Sequence, residues 1–142
     1  MLFADLTTMR VGGGAYLAIE ATTEDELIEA AHETWGGQEE WLILGGGSNL
    51  VVSDEGFDGT VIRVLTRGIE RLPAEPGYVR LRVQAGESWD ALVALTVANG
   101  WAGIEALSGI PGSCGAAPIQ NIGAYGQEVS DSLVAIDFRD YL

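Results

Sequence analysis

The sequence predicts an α+β fold, and three observations predict it. Residues 16–44 read as strand, helix, strand. Residues 78–100 read as an alternating strand followed by a second helix. Residues 101–127 show neither period, although they are apolar and nearly uncharged. The length, 142 residues, suits one ordinary domain or two small lobes sharing a core. A hydrophobic share of 47% is high enough to argue against disorder.

The elements follow in chain order. YLAIEA (16–21) predicts a short strand. Thr23 and Glu26, three apart, form a capping-box signature for a helix whose apolar stripe is Leu27, Ala30, Ala31 and Trp35. Gly36 and Gly37 end it. WLIL (41–44) is wholly apolar, as a strand buried on both faces would be. Strand, helix and strand in this order predict a βαβ unit with a parallel pair. LVV (50–52) and TVIRV (60–64) then predict strands around the turn SDEGFDG.

YVRLRVQA (78–85) alternates, with Val79, Leu81 and Val83 on one face and Arg80, Arg82 and Gln84 on the other. Ser88 caps a second helix, from which Leu92, Leu95 and Val97 are expected to point inward, and Gly100 stops it. Trp41 and Trp89 are assigned to packing. The aperiodic segment 101–127 is long for a loop, and its lack of charge favours an ordered, functional loop over a disordered one. VAIDFRDYL (134–142) alternates like a strand without a closing cap, which predicts a chain truncated inside or just after a strand.

Charge narrows the partners. Acidic residues number 21 and basic residues 7, a net charge of −14, and every basic residue is an arginine. Such a surface repels nucleic acid and anionic membranes. A phosphate held here must therefore depend on backbone N–H groups and neutral donors. No apolar run approaches the roughly 18 residues of a membrane helix. The single cysteine, Cys114, forbids an internal disulfide and fits a reducing compartment, hence the cytoplasm.

Two glycine-rich loops carry the chemistry. GGGSN (45–49) lacks the lysine of a Walker loop, and it lacks the third glycine and following helix of a dinucleotide fingerprint. Two readings remain. One is a nest of inward-turned N–H groups cradling a pyrophosphate, with Ser48 and Asn49 as added donors; the other is a tight turn in a crowded sheet. In the second loop, Ile110, Pro111, Ile119 and Ile122 offer apolar surface for a flat ring, and Gln120 and Asn121 offer paired donors and acceptors. Gly112, Gly115, Gly123 and Gly126 allow backbone amides to approach. A charged linker joined to a broad neutral ring describes FAD better than a plain nucleotide.

These residues also carry a resemblance. TTMRVGGGAY, LGGGSNLVVSDEGFDGTVIRV, AGESWDALV and GIEALSGIPGSCGAAPIQNIGAYGQEVSD resemble the FAD-binding part of the UDP-N-acetylenolpyruvoylglucosamine reductase family, across essentially the whole chain. The resemblance implies an FAD-binding fold of the PCMH or vanillyl-alcohol-oxidase kind, with lobes at 1–65 and 66–142 and a truncation before the substrate domain. It implies non-covalent FAD near the pyrophosphate loop residues Gly45, Gly46, Gly47, Ser48, Asn49 and Leu50. Pro111, Gly112, Ser113, Gly115, Ile119, Asn121, Ile122, Gly123, Ala124 and Tyr125 would line the rest of the cofactor. NADPH is the implied reductant, and a nucleotide sugar carrying an enolpyruvyl group the implied substrate of the complete enzyme. The implied protein is a cytoplasmic monomer in peptidoglycan synthesis, with no metal. Thr7 and Gly14 depart from the family's usual Asn and Pro.

No catalytic residue is assigned within the chain, because Ser108, Ser113 and Ser130 do not sit in the family's proton-donor motif. The alternative reading is therefore a nucleotide-binding module without catalysis. Cys114 could attach flavin covalently or serve as a small buried apolar residue, and the latter is the usual behaviour of a free cysteine. His32 is expected as a surface or half-buried residue of the first helix rather than as a flavin attachment point. Tyr125 either hydrogen-bonds the cofactor or packs beneath its loop; the resemblance favours the cofactor.

Overall fold

The computed structural model describes residues 1–140, which divide into two compact units. The first comprises Met1–Thr66 and residues 138–140, and the second Arg67–Asp137. The architecture is α+β.

In the first unit, strand β1 (Ala15–Ala21) leads into helix α1 (Glu24–Trp35), then strands β2 (Glu40–Leu44) and β3 (Phe57–Val64). The Thr23 hydroxyl accepts from the Glu26 amide at 3.2 Å, and the Glu26 carboxylate accepts in return from the Thr23 amide at 3.2 Å. The Thr22 hydroxyl and amide also donate to Glu26, at 2.7 and 2.8 Å. These donors, the Thr22 hydroxyl foremost, hold the Glu26 carboxyl below its ordinary pKa.

The sheet order is β1-β3-β2, all parallel. The βαβ unit forms, but β1 and β2 do not pair; β3 lies between them. That position explains a second difference. Both faces of β3 are covered: Ile62 joins Ala21, Ala30 and Ala31 beneath α1, and Val61 joins Phe3 and Leu44 on the other side. WLIL, expected to be buried on both faces, is an edge strand, with Trp41 37% and Ile43 40% exposed. Helix α1 packs on β1 and β3, and its Trp35 ring meets Trp41 at 5.9 Å between centroids.

LVV (50–52) is not a strand. Its neighbourhood instead forms a clasp with Gly12–Gly14: Gly13 N donates to Ser53 O at 2.9 Å, Phe57 N to Gly14 O at 2.9 Å, and Gly12 N to an Asp54 carboxylate oxygen at 3.3 Å. Leu50 and Val52 still pack against the Phe3 core. The apolar residues were legible, but backbone pairing with a glycine segment took the place of a ladder.

In the second unit, strand β4 (Ile69–Leu72), absent from the sequence expectations, pairs antiparallel with β5 (Arg80–Val83), the centre of the expected strand at 78–85. Helix α2 (Trp89–Ala98) follows, with the Ser88 hydroxyl accepting from Ala91 N at 3.4 Å. Its buried stripe is Trp89, Leu92, Val93 and Thr96, while Leu95 and Val97, expected inside, are 38% and 55% exposed. An apolar helix without a polar face offers no periodicity to orient it. The Trp89 indole N–H, donating to Leu107 O at 3.1 Å, fixes the orientation instead. Leu107, Ala117 and Val129 complete this core.

The segment 101–127 is ordered by a 3₁₀ turn at Glu105–Leu107, by a bridge between Ser88 and Ser113, and by a short hairpin of β6 (Gly123–Ala124) and β7 (Gln127–Glu128). Residues 133–140 form no strand, and Val134 and Phe138 are 77% and 78% exposed. Alternation supplies the side-chain pattern of a strand, but a ladder also needs a neighbour, and none pairs with this stretch among the described residues. Tyr141 and Leu142 of the expected strand lie outside them. No helix among the described residues is long and apolar enough to cross a membrane.

The corrected orientation of α2 is testable by thermal or urea unfolding. Leu92→Ala is expected to cost about 2–5 kcal/mol. Leu95→Ala is expected to cost about 1 kcal/mol or less, and equal costs would restore the expected inward Leu95.

Candidate functional site

The first loop begins where β2 ends. Gly45 is half-buried, Gly46 and Asn49 are exposed, Gly47 is buried, and Ser48 and Leu50 are half-buried. Of the three glycines only Gly47 has positive φ, at +65°. A Cβ there would collide with the Leu6 carbonyl oxygen, and the Gly47 carbonyl accepts from Thr8 N at 3.1 Å. The close approach that this glycine permits is therefore to the chain's own N-terminal segment. The expected nest of several left-handed glycines is not present; one left-handed glycine turns the chain beneath an exposed Gly46.

That N-terminal segment is itself well held. Phe3 is fully buried, and the Thr7 hydroxyl donates to Val11 O at 3.1 Å. Thr7 thus has a structural task, and Gly14, the other departure from the family pattern, accepts from Phe57 N in the clasp.

The second loop is laid along the approach to α2. Cys114 N donates to Glu87 O and Gly115 N to Ala85 O, both at 2.8 Å, and Trp89 N donates to Gly112 O at 3.1 Å. Ser113 is buried, and its carbonyl receives the Ala116 and Ala117 amides at 3.1 Å each. A Cβ on Gly115 would lie 2.6 Å from the Ala85 Cβ, so this glycine too serves an internal contact. The Asp90 carboxylate accepts from Gly109 N at 2.7 Å, which ties the loop's start to α2.

Beyond Ser113 the loop turns outward. Pro111 is exposed, Ile122 and Ala124 are half-buried, and Ile119 is 84% exposed. Tyr125 and Gly126 form the hairpin tip with φ of +53° and +82°, a pair of left-handed residues of the type I′ kind. The Tyr125 side chain is 98% exposed, so it does not pack beneath the loop. Asn121 is also left-handed, at φ +49°, and its carboxamide is engaged internally. Its Nδ2 donates to a Glu128 carboxylate oxygen at 2.7 Å and its Oδ1 accepts from Ser130 N at 3.1 Å. That carboxamide, expected from the sequence to suit a ring edge, is bonded within the loop.

From the sequence, Ser130 is considered only as a proton donor, and no role is given to Glu128 or to Gln127, whose side-chain oxygen accepts from Ala106 N at 2.9 Å. Cys114 is half-buried, and burial foremost, with the negative charge of Glu87 adding to it, pushes its thiol up to about 12. A thiol so protonated is a poor nucleophile, which fits the small apolar reading.

Several known proteins resemble this chain. Residues 15–140 match the family described as "FAD binding domain". The UDP-N-acetylenolpyruvoylglucosamine reductase of Leifsonia xyli subsp. xyli is 65% identical over 137 residues, covering 96% of this chain and 36% of its own length. The protein of the same name from Salinispora arenicola is 50% identical over 134 residues, covering 94% and 37%. The crystal structure of UDP-N-acetylenolpyruvylglucosamine reductase from Thermus caldophilus matches with TM-score 0.66 and 30% identity, covering 92% of this chain and 44% of that one. The chain spans little more than a third of the length of the two named sequence relatives.

Two outcomes are expected. Gly47→Ala should lower the melting temperature markedly, because a Cβ meets backbone that cannot move aside; an unchanged melt would remove the close-approach argument. Iodoacetamide should modify Cys114 slowly at pH 8 and faster as pH rises towards 12, because the thiolate forms only there. Rapid labelling at pH 8 would contradict the protonated thiol.

Proposed function

The chain belongs to the FAD binding domain family, and on that premise we propose that it is the cofactor-binding portion of a UDP-N-acetylenolpyruvoylglucosamine reductase. The observation that carries this reading is that similarity to a protein of that name runs over 96% of the chain at 65% identity.

The residues present fit the cofactor. At the first loop, the exposed Gly46 and Asn49 and the half-buried Ser48 supply an amide, a carboxamide and a hydroxyl for a pyrophosphate. At the second, Pro111, Ile119 and Tyr125 put apolar and aromatic surface outside a backbone that is otherwise tightly bonded. The neutral donors suit a chain whose net charge is −14, since cationic side chains are scarce.

The chemistry that FAD supplies when bound is two-electron hydride transfer, here from NADPH towards an enolpyruvyl group on a nucleotide sugar. The chain's own part is to bind and orient. No proton-transfer role is proposed for Ser108, Ser113 or Ser130, which lie outside the family's proton-donor motif; Ser108 donates to Asp90 at 3.4 Å and Ser130 to Glu128 at 3.4 Å. The proposed setting is a cytoplasmic monomer serving peptidoglycan synthesis.

The test is a visible absorbance spectrum of the purified chain after incubation with FAD and removal of the excess. Retained flavin bands are expected, and a folded but colourless protein would defeat the reading for this chain. Gly46→Val should weaken FAD binding about tenfold or more with its melting temperature nearly unchanged. Unaltered affinity would take the first loop out of the site.

A further inference from the structure

We infer that Glu128 is a positioning residue for the cofactor loop, acting through Asn121. This rests on the FAD-binding reading above.

Asn121 stands at φ +49°, a backbone region that is strained for an L-residue and that Asn tolerates better than most. Two protein groups grip its side chain from opposite ends, the Glu128 carboxylate at Nδ2 (2.7 Å) and the Ser130 amide at Oδ1 (3.1 Å). The Ser130 hydroxyl donates to the same Glu128 oxygen at 3.4 Å and closes the ring of contacts. Glu128 is itself held: its amide donates to an Asp131 carboxylate oxygen at 3.0 Å, and it faces Gly123 across the β6–β7 ladder. A Cβ on Gly123 would come within 3.2 Å of the Glu128 Cγ, so the glycine leaves the acidic side chain room beside the strand it pairs with. Val129 N donating to Ile122 O at 3.0 Å fixes the same region through the backbone.

The clamp thus spans residues 121–130 and encloses Ile122, Gly123, Ala124 and Tyr125, the stretch proposed to meet the cofactor. It sets the direction in which the chain leaves Asn121, and hence where the hairpin tip with Tyr125 stands. Glu128 contributes geometry. No contact of its own with the cofactor is needed.

A double-mutant cycle on the full chain decides the matter, with FAD affinity read by flavin fluorescence and bound-flavin geometry by visible circular dichroism. Glu128→Ala is expected to weaken FAD about tenfold and alter the dichroism, whereas Glu128→Gln, which keeps a carbonyl acceptor, should stay within about threefold of the parent. In an Asn121→Gly background, where the left-handed backbone needs no clamp, Glu128→Ala should change affinity less than twofold. Equal effects of Glu128→Ala in both backgrounds, or equal losses for the Ala and Gln variants, would overturn the inference. So would an unaffected Glu128→Ala variant.

A second measurement needs no cofactor. In the ligand-free chain the Asn121 carboxamide protons should exchange slowly by NMR, and quickly in Glu128→Ala, with Glu128→Gln retaining the protection should the Ala variant not fold. Fast exchange in the parent would overturn the clamp. Slow exchange in a parent that binds no FAD would leave the clamp standing and defeat the FAD reading alone.

Discussion

Backbone packed directly on backbone is the constraint on which the rest of this structure depends. Much of the chain is neither helix nor strand, yet its amides and carbonyls must still be paired where water is excluded. The first unit solves this with the clasp between Gly12–Gly14 and residues 53–57, and with the N-terminal segment seated on Gly47. In the second unit, residues 112–115 bond to the carbonyls of Ala85 and Glu87 and to the first amide of α2. Glycine marks these places because main chain passes where a side chain would stand. The direct cause is internal packing, and a loop fixed in this way is also a prepared surface for a ligand.

Electrostatics point to the same design. A pyrophosphate brought to a chain of net charge −14 gains little from the long-range field, and physiological salt screens that field beyond about 8 Å. Short-range donors on a backbone that does not rearrange are the remaining means of holding it. The preorganisation of the loops is thus part of the binding argument, since ordering a floppy glycine loop at the moment of binding would consume much of the interaction.

Legibility in the sequence followed the range of the forces involved. Thr23 with Glu26 and Ser88 with Ala91 are local devices, and both stand as read. The position of β3 in the middle of the sheet depends on pairings between residues such as Ile19 and Ile62, far apart in sequence, and no local pattern encodes them. The same holds for Leu95, whose exposure is decided by an indole hydrogen bond from Trp89 to Leu107, and for residues 50–52, where a ladder gives way to the clasp of the following residues 53–57 with glycines some forty positions earlier. In the candidate site, the residue types of the two loops were legible. Their internal bonding was not: the Asn121 carboxamide bonds within the loop to Glu128 and Ser130, and Glu128 had no motif to announce it.

Tyr125 carries this reasoning one step further. Among the described residues three non-glycine positions are left-handed, and two of them, Asn121 and Tyr125, fall within this one loop. Asn121 recovers part of that cost through its clamp. Tyr125 recovers nothing comparable from packing, because its ring is 98% exposed and the turn it occupies would accept Asn or Gly at lower cost. Local stability therefore does not explain an aromatic side chain at the hairpin tip. On the proposed function, a ring held out from the hairpin tip in this way would face the cofactor.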